Sequence, residues 1–108
     1  MSFVPDRGDV IWINFDPQAG REQACHRPAL VLSPKAYNRK TSLCIVCPIT
    51  SQIKGYPFEV AIRDDDLSVV LADQVKSLDW NVRKAKRKGS VSDDVLAEVI
   101  GKLSALIH

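Results

Sequence analysis

The chain has 108 residues, 45% of them hydrophobic and 26% charged, which is the balance of an ordinary globular domain. A chain of this length fits one domain with a modest core, so self-association is a natural way to bury more surface. No apolar run approaches the ~18 residues that a membrane span needs. Met1 to Arg7 contains Pro5 and Asp6 and no apolar stretch, so no signal peptide is read and the expected compartment is the cytosol.

The three cysteines, Cys25, Cys44 and Cys47, are an odd number in a chain without an export signal, which argues against a disulfide framework. The net charge of +2 hides an uneven distribution: Arg83, Lys84, Lys86, Arg87 and Lys88 are five of the 15 basic residues, and without them 10 basic residues face 13 acidic ones. A polyanion site and a solvated strand kept soluble by its charge both account for such a stripe.

In chain order, Asp9 to Phe15 (DVIWINF) is β-branched and aromatic and is expected to be a strand, ended by Asp16-Pro17. Gln18 to Arg27 is expected to be a polar loop about ten residues long, a length more often functional than a short turn. Pro28 to Ser33 reads as a buried strand, and Pro34 to Thr41 has room for a helical turn. Ser42 to Ile49 reads as a third strand, with Pro48 suggesting an edge or a strand end. A polar loop, Thr50 to Tyr56, leads to strands at Pro57 to Ile62 and Ser68 to Asp79, separated by an acidic turn at Arg63 to Asp66. The second of these is expected to bend near Ala72-Asp73, and one more strand between Asn81 and Val91 carries the basic run.

The last element is expected to be a helix. Ser92 is a good N-cap, and Asp93 and Asp94 suit the positive end of the helix dipole. Val95, Leu96, Val99, Ile100, Leu103, Leu106 and Ile107 fall on one face at helical spacing. Many short strands and one closing helix give an α+β, mainly β fold: a small, strongly bent sheet or barrel with the helix packed on it or at a dimer seam.

The densest polar cluster is Arg21-Glu22-Gln23-Ala24-Cys25-His26-Arg27, followed by Pro28. Cleaving RNA without a metal needs a base for the ribose 2′-OH, donors for the charge that grows on phosphorus, and an acid for the leaving 5′-oxygen. Glu22 or His26 can serve as base. His26 titrates near neutral pH and can also serve as acid. Arg27 can bind phosphate oxygens through both arms of its guanidinium. Equally, most charged loop residues are simply solvated. Cys44 and Cys47 are three apart on a strand and point to opposite faces, a poor arrangement for a shared metal, so they read as buried apolar residues and no metal site or cofactor is expected. Trp12 and Trp80 read as core or interface residues, while Tyr56 and Phe58 can stack on a base or pack.

Several strings together resemble one family. They are Pro5-Asp6-x-Gly8-Asp9-x-Ile11-Trp12, Phe15-Asp16-Pro17, Glu22-Gln23-Ala24-x-His26-Arg27-Pro28-Ala29-x-Val31-Leu32-Ser33-Pro34, Tyr37-Asn38, Lys54 to Val60 (KGYPFEV) and Leu71 to Ser77 (LADQVKS). In this order, over nearly the whole chain, they resemble the MazF branch of the MazF/PemK toxins. The resemblance implies an SH3-like barrel of the kind shared with CcdB toxins, a homodimer, and cleavage of single-stranded RNA at short sites to 2′,3′-cyclic phosphate and 5′-hydroxyl ends. It also implies a MazE-like antitoxin whose acidic tail covers the RNA groove. Glu22, Arg27 and Thr50 match the family's catalytic positions; Gln74, Lys54 and Tyr56, with the basic run, are the candidates for RNA contact. The alternative class is a CcdB-like toxin that binds DNA gyrase without hydrolysis, which has no need of Glu22, Arg27 and Thr50 together.

Overall fold

A computed structural model describes residues 3–15, 26–62 and 65–107. Seven strands and two helices follow one another: β1 (Asp9–Asn14), β2 (His26–Val31), α1 (Lys35–Thr41), β3 (Leu43–Thr50), β4 (Glu59–Ile62), β5 (Asp65–Leu71), β6 (Lys76–Asp79), β7 (Lys86–Ser90) and α2 (Asp93–Ile107). All pairings are antiparallel, in the order β4-β5-β3-β2-β1-β7, with β6 also on β3. The sheet is curled into a half-barrel closed by the C-terminal helix, as the strand pattern leads one to expect.

Because side chains alternate along a strand, a curled sheet can bury both faces. One face carries Val10, Leu30, Leu32, Cys47, Ile49, Val60 and Val70, packed under Val95 and Val99 of α2. The other carries Ile11, Ile13, Ala29, Val31, Cys44 and Val46, covered by Leu78 and Trp80 with Phe3, Val4, Phe15 and Ala85. Cys44 and Cys47 thus lie in separate cores on opposite faces and cannot meet at one metal. Burial pushes both thiols up to about 12, helped by the carboxylates of Asp79 for Cys44 and Asp73 for Cys47.

Two polar ties fix the frame. The Asn38 side chain is fully buried; it donates to the carbonyls of Pro5 (2.8 Å) and Ser33 (3.0 Å) and accepts from the Ser33 hydroxyl (2.6 Å). Its backbone carbonyl accepts the indole N–H of Trp80 at 2.9 Å. Asp6 accepts the backbone N–H groups of Arg7 and Lys35 on one carboxylate oxygen, binding the N-terminal segment to the start of α1. The strings Pro5-Asp6 and Tyr37-Asn38 therefore hold the fold together.

Five features differ from the sequence reading. The loop expected to run to Arg27 ends sooner, because His26 and Arg27 pair with Asn14 and Ile13 and so belong to β2. Pro48 sits inside the central strand β3 rather than at an edge or end. It falls between the residues paired to β6 (Leu43 to Val46) and those paired to β5 (Ile49 and Thr50), where the ladder on that side is interrupted. The expected strand Ser68 to Asp79 is two strands. Val70 pairs with Ile49, so an unbroken strand would set Lys76 opposite Leu43, yet Asp79 stands there. Three extra residues are taken up at the corner near Ala72, where the bend was expected. Finally, Arg83 and Lys84 lie in a turn and only Lys86, Arg87 and Lys88 are on β7. The acidic turn loses its second half to β5, which begins at Asp65; Arg63 and Asp64 lie outside the described residues.

The closing helix starts as expected, with the Ser92 hydroxyl accepting the N–H of Val95 at 3.3 Å. Its apolar face is only partly used: Val95 and Val99 are buried, but Ile100, Leu106 and Ile107 are exposed.

Candidate active site

Arg27 and Thr50 stand at the same end of neighbouring strands. Ala29 pairs with Pro48, Arg27 lies two residues before Ala29, and Thr50 lies two residues after Pro48. Two steps along a strand keep the same face, so Arg27 and Thr50 both lie on the face of Ala29 and Pro48, just beyond the last pair of this ladder. Arg27 is exposed and Thr50 half-buried, as residues that meet a ligand should be. The Thr50 hydroxyl oxygen accepts the N–H of Gln52 at 3.1 Å. That contact uses its acceptor side and leaves its proton to donate outward.

Arg83 reaches the same end from the far side of the chain, donating from its guanidinium to the Asn14 carbonyl at 2.6 Å. Asn14 is one residue beyond Ile13, the partner of Arg27. The turn holding Arg83 and Lys84 is folded over this face by Trp80 and Ala85. Part of the basic run thus joins the Arg27 end, through a contact 69 residues apart in sequence that no local pattern announces.

The remaining cations are placed differently. Lys86 pairs with Trp12 on the opposite face, and Lys88 lies over the Trp12 ring, 5.5 Å from its centroid. Trp12 is thereby an exposed aromatic carrying a cation, not a core residue. Arg87 faces Asp9 at 3.4 Å. His26, next to Arg27 on β2, leaves the strand on the other face, opposite Asn14. Its Nδ1 is buried and has no hydrogen-bond partner among the described residues. The strand therefore does not bring His26 and Arg27 to one point. Glu22 lies outside the described residues.

The loop 51–58 continues from Thr50 and carries Lys54 and Tyr56, both exposed. The Glu59 carboxylate accepts the N–H groups of Lys54 (3.0 Å) and Gly55 (2.9 Å). The sequence did not single out Glu59, because the tie depends on how the loop folds back on β4. The corner bearing Gln74 is joined to the same loop, since Ala72 donates to the Phe58 carbonyl at 3.0 Å. Gln74 itself is exposed.

The sequence and the fold match proteins already known. Residues 6–107 match the model of the family described as PemK-like, MazF-like toxin of type II toxin-antitoxin system. The chain belongs to this family. It is 52% identical over 106 residues to the endoribonuclease toxin MazF of Escherichia coli, covering 97% of this chain and 96% of that protein. The endoribonuclease toxin ChpB of the same organism is 37% identical over 110 residues, covering 95% and 94%. Among solved structures, MazF of Deinococcus radiodurans superimposes with a TM-score of 0.87 at 54% identity, covering 98% of both chains. A MazE-MazF structure from that organism gives 0.86 at 48% identity, covering 98% of this chain and 97% of that one. Among the described residues of this toxin no helix is long and apolar enough to cross a membrane.

Proposed function

We propose that this toxin is an endoribonuclease that cuts single-stranded RNA by attack of the ribose 2′-OH, with no metal in the reaction, and so blocks translation and growth. The observation that supports the reading is the position of Arg27 and Thr50, each two residues beyond the pair Ala29–Pro48 at one end of neighbouring strands. The 2′-oxygen attacks phosphorus, its proton passes to a base, the bond to the 5′-oxygen breaks, and that oxygen takes a proton. The products are a 2′,3′-cyclic phosphate and a 5′-hydroxyl. Arg27 supplies a planar pair of donors to the non-bridging oxygens, and the Thr50 proton supplies another. Glu22 is the candidate base; His26, the other acid or base candidate, leaves β2 on the face opposite Arg27, which counts against it, and pH profiles of the two single variants test both.

The CcdB-like alternative, binding of gyrase without hydrolysis, is not favoured, because the relatives at 52% and 37% identity are endoribonucleases. Lys54, Tyr56 and Gln74 border the Thr50 end and suit contact with the bases or backbone of the strand. The partner is a MazE-like antitoxin, as in the Deinococcus complex. A homodimer is supported by the exposed Ile100, Leu106 and Ile107 on the closing helix. The toxin acts in the cytosol, where its RNA substrate lies.

The test is to incubate purified toxin with single-stranded RNA in EDTA, without gyrase, and to resolve the products by mass. Cyclic phosphate and 5′-hydroxyl ends are expected. Intact RNA, or cleavage only after a divalent ion is restored to an unstructured substrate, would overturn the reading.

A further inference from the structure

We propose that Glu59 is a positioning residue for substrate recognition: its carboxylate holds the loop 51–58 so that Tyr56 and Lys54 meet the RNA strand beside Thr50. This rests on the endoribonuclease reading above.

The loop is exposed from Ser51 to Pro57. Tyr56 is 61% exposed and Ile53 is 50% exposed, so neither side chain anchors the loop by burial. Its shape comes from polar ties at its two ends. At the start, the Thr50 hydroxyl accepts from Gln52. At the finish, Glu59 spends one oxygen on the N–H of Lys54 and the other on the N–H of Gly55. Gly55 has φ +81, so the chain turns left-handed there and both N–H groups face the carboxylate. Hydrogen bonds to an ionised acceptor are about twice as strong as neutral ones.

Glu59 is itself fixed. It opens β4 opposite Leu71, and its own carbonyl and that of Pro57 accept from the Lys102 ammonium at 3.3 and 2.6 Å. The tie thus connects an exposed aromatic and an exposed cation to the rigid sheet and to α2. A tyrosine held out in water next to a phosphate-binding end is a platform on which an unpaired base can stack. Holding it in place lowers the ordering cost of binding RNA. The carboxylate faces the loop backbone and repels phosphate, so it acts through the loop and not on the substrate.

The experiment uses the full-length toxin, an RNA oligonucleotide containing its preferred site, and the same oligonucleotide with single bases of that site changed. For Glu59→Ala, KM should rise about tenfold or more while kcat changes less than about threefold, and discrimination against the altered sites should shrink. Glu59→Gln keeps one acceptor oxygen and should fall between. Tyr56→Ala, at an exposed position, should reproduce the KM rise with little change in Tm. The double variant Tyr56→Ala with Glu59→Gln should be less than additive, because both changes remove one platform. Should Glu59→Ala fail to fold, this cycle carries the test alone. Unchanged KM and discrimination in folded Glu59 variants, a fall in kcat alone, or additive effects in the cycle would overturn the proposal. A wild-type toxin that cuts no RNA would instead overturn the reading on which it rests.

Discussion

Arg27 and Thr50 lie on adjacent strands, each two residues out from the pairing of Ala29 with Pro48. The alignment is a product of register, and a one-residue slip would turn the two to opposite faces. Arg27 is exposed and contributes little to the core. Arg27→Ala should therefore leave Tm nearly unchanged and lower kcat by at least about a hundredfold, the usual loss for one strong transition-state donor. Arg27→Lys should recover little, since a point charge does not reproduce the planar fork. Thr50→Ser should keep most of the rate and Thr50→Val should lose roughly tenfold or more, because the donated proton matters and the methyl does not. Near-normal turnover in Arg27→Ala would remove it from the mechanism.

Asn38 should behave in the opposite way. Removing its side chain leaves the Pro5 and Ser33 carbonyls and the Ser33 hydroxyl without their buried partner. Asn38→Ala should cost about 3 kcal/mol, read as a fall in Tm of roughly 10 to 20 °C. Turnover per folded molecule should stay unchanged at a temperature where both proteins are folded. A large loss of kcat without loss of Tm would mean that Asn38 serves the site directly.

These two predictions mark what the sequence made legible. Apolar, β-branched and aromatic runs located β1, β2 and β3, and helical spacing with a serine cap located α2, because both signals are local. Arg27 came from the polar cluster and Thr50 from a family resemblance, and the register of β2 with β3 puts both at one end of neighbouring strands. The division of the strand at Ala72 was visible as a bend but not as a three-residue slip, which depends on what β3 pairs with on each side. The contact of Arg83 with Asn14 and the cation of Lys88 over Trp12 are long-range, and no spacing along the chain encodes them. The basic run read as one stripe because charge is counted along the chain, whereas a turn and a strand distribute it over two faces.

The thiols give a chemical check on the two cores. Cys44 and Cys47 are raised to about 12, first by burial and then by Asp79 and Asp73 respectively. At pH 7.5 iodoacetamide should leave both unmodified in the folded toxin and modify both after denaturation, as read by peptide mass. Between the ordinary value of 9.0 and about 12 the folded chain keeps protons that the unfolded chain has released. Stability should therefore fall as pH rises through this window, and a Cys44→Ala, Cys47→Ala double variant should lose less of it. Rapid labelling of either thiol in the native state would contradict the burial described.

The basic run should divide by function. Arg83 is bonded at the end of the sheet that bears Arg27, while Arg87 faces Asp9 at the other end of β1. Arg83→Ala should weaken RNA binding at low salt more than Arg87→Ala does, and should lower the salt slope by about one if it meets a phosphate. The Arg87 pair is half exposed and should add little to stability. The reverse ranking in RNA affinity would place the RNA at the Asp9 end of β1 rather than at the Arg27 end.

The last prediction concerns the nucleophile. A phosphodiester has a high barrier to attack by water, and an enzyme that activates bulk water usually does so with a metal ion. Cys44 and Cys47 are separated by the sheet, and among the described residues Arg27, Thr50 and Arg83 bring hydrogen-bond donors to the site end. Such a site is suited to stabilising charge rather than to generating hydroxide. The ribose 2′-OH, by contrast, is already tethered beside the phosphorus, and intramolecular attack gains a large proximity advantage. The protein then needs to take one proton, give one proton and hold the phosphorane, the last of which falls to Arg27 and Thr50. A 2′-deoxy or 2′-O-methyl nucleotide on the 5′ side of the scissile bond should therefore bind with nearly normal affinity and remain uncut. The same change one nucleotide downstream should still permit cutting. Paired oligonucleotides differing only in the position of the block, with products resolved by mass, make the comparison. Cleavage of the blocked strand at its normal position, or a linear 3′-phosphate carrying solvent oxygen from the first turnover, would show that water is the nucleophile and that the donors at this sheet end serve a different reaction.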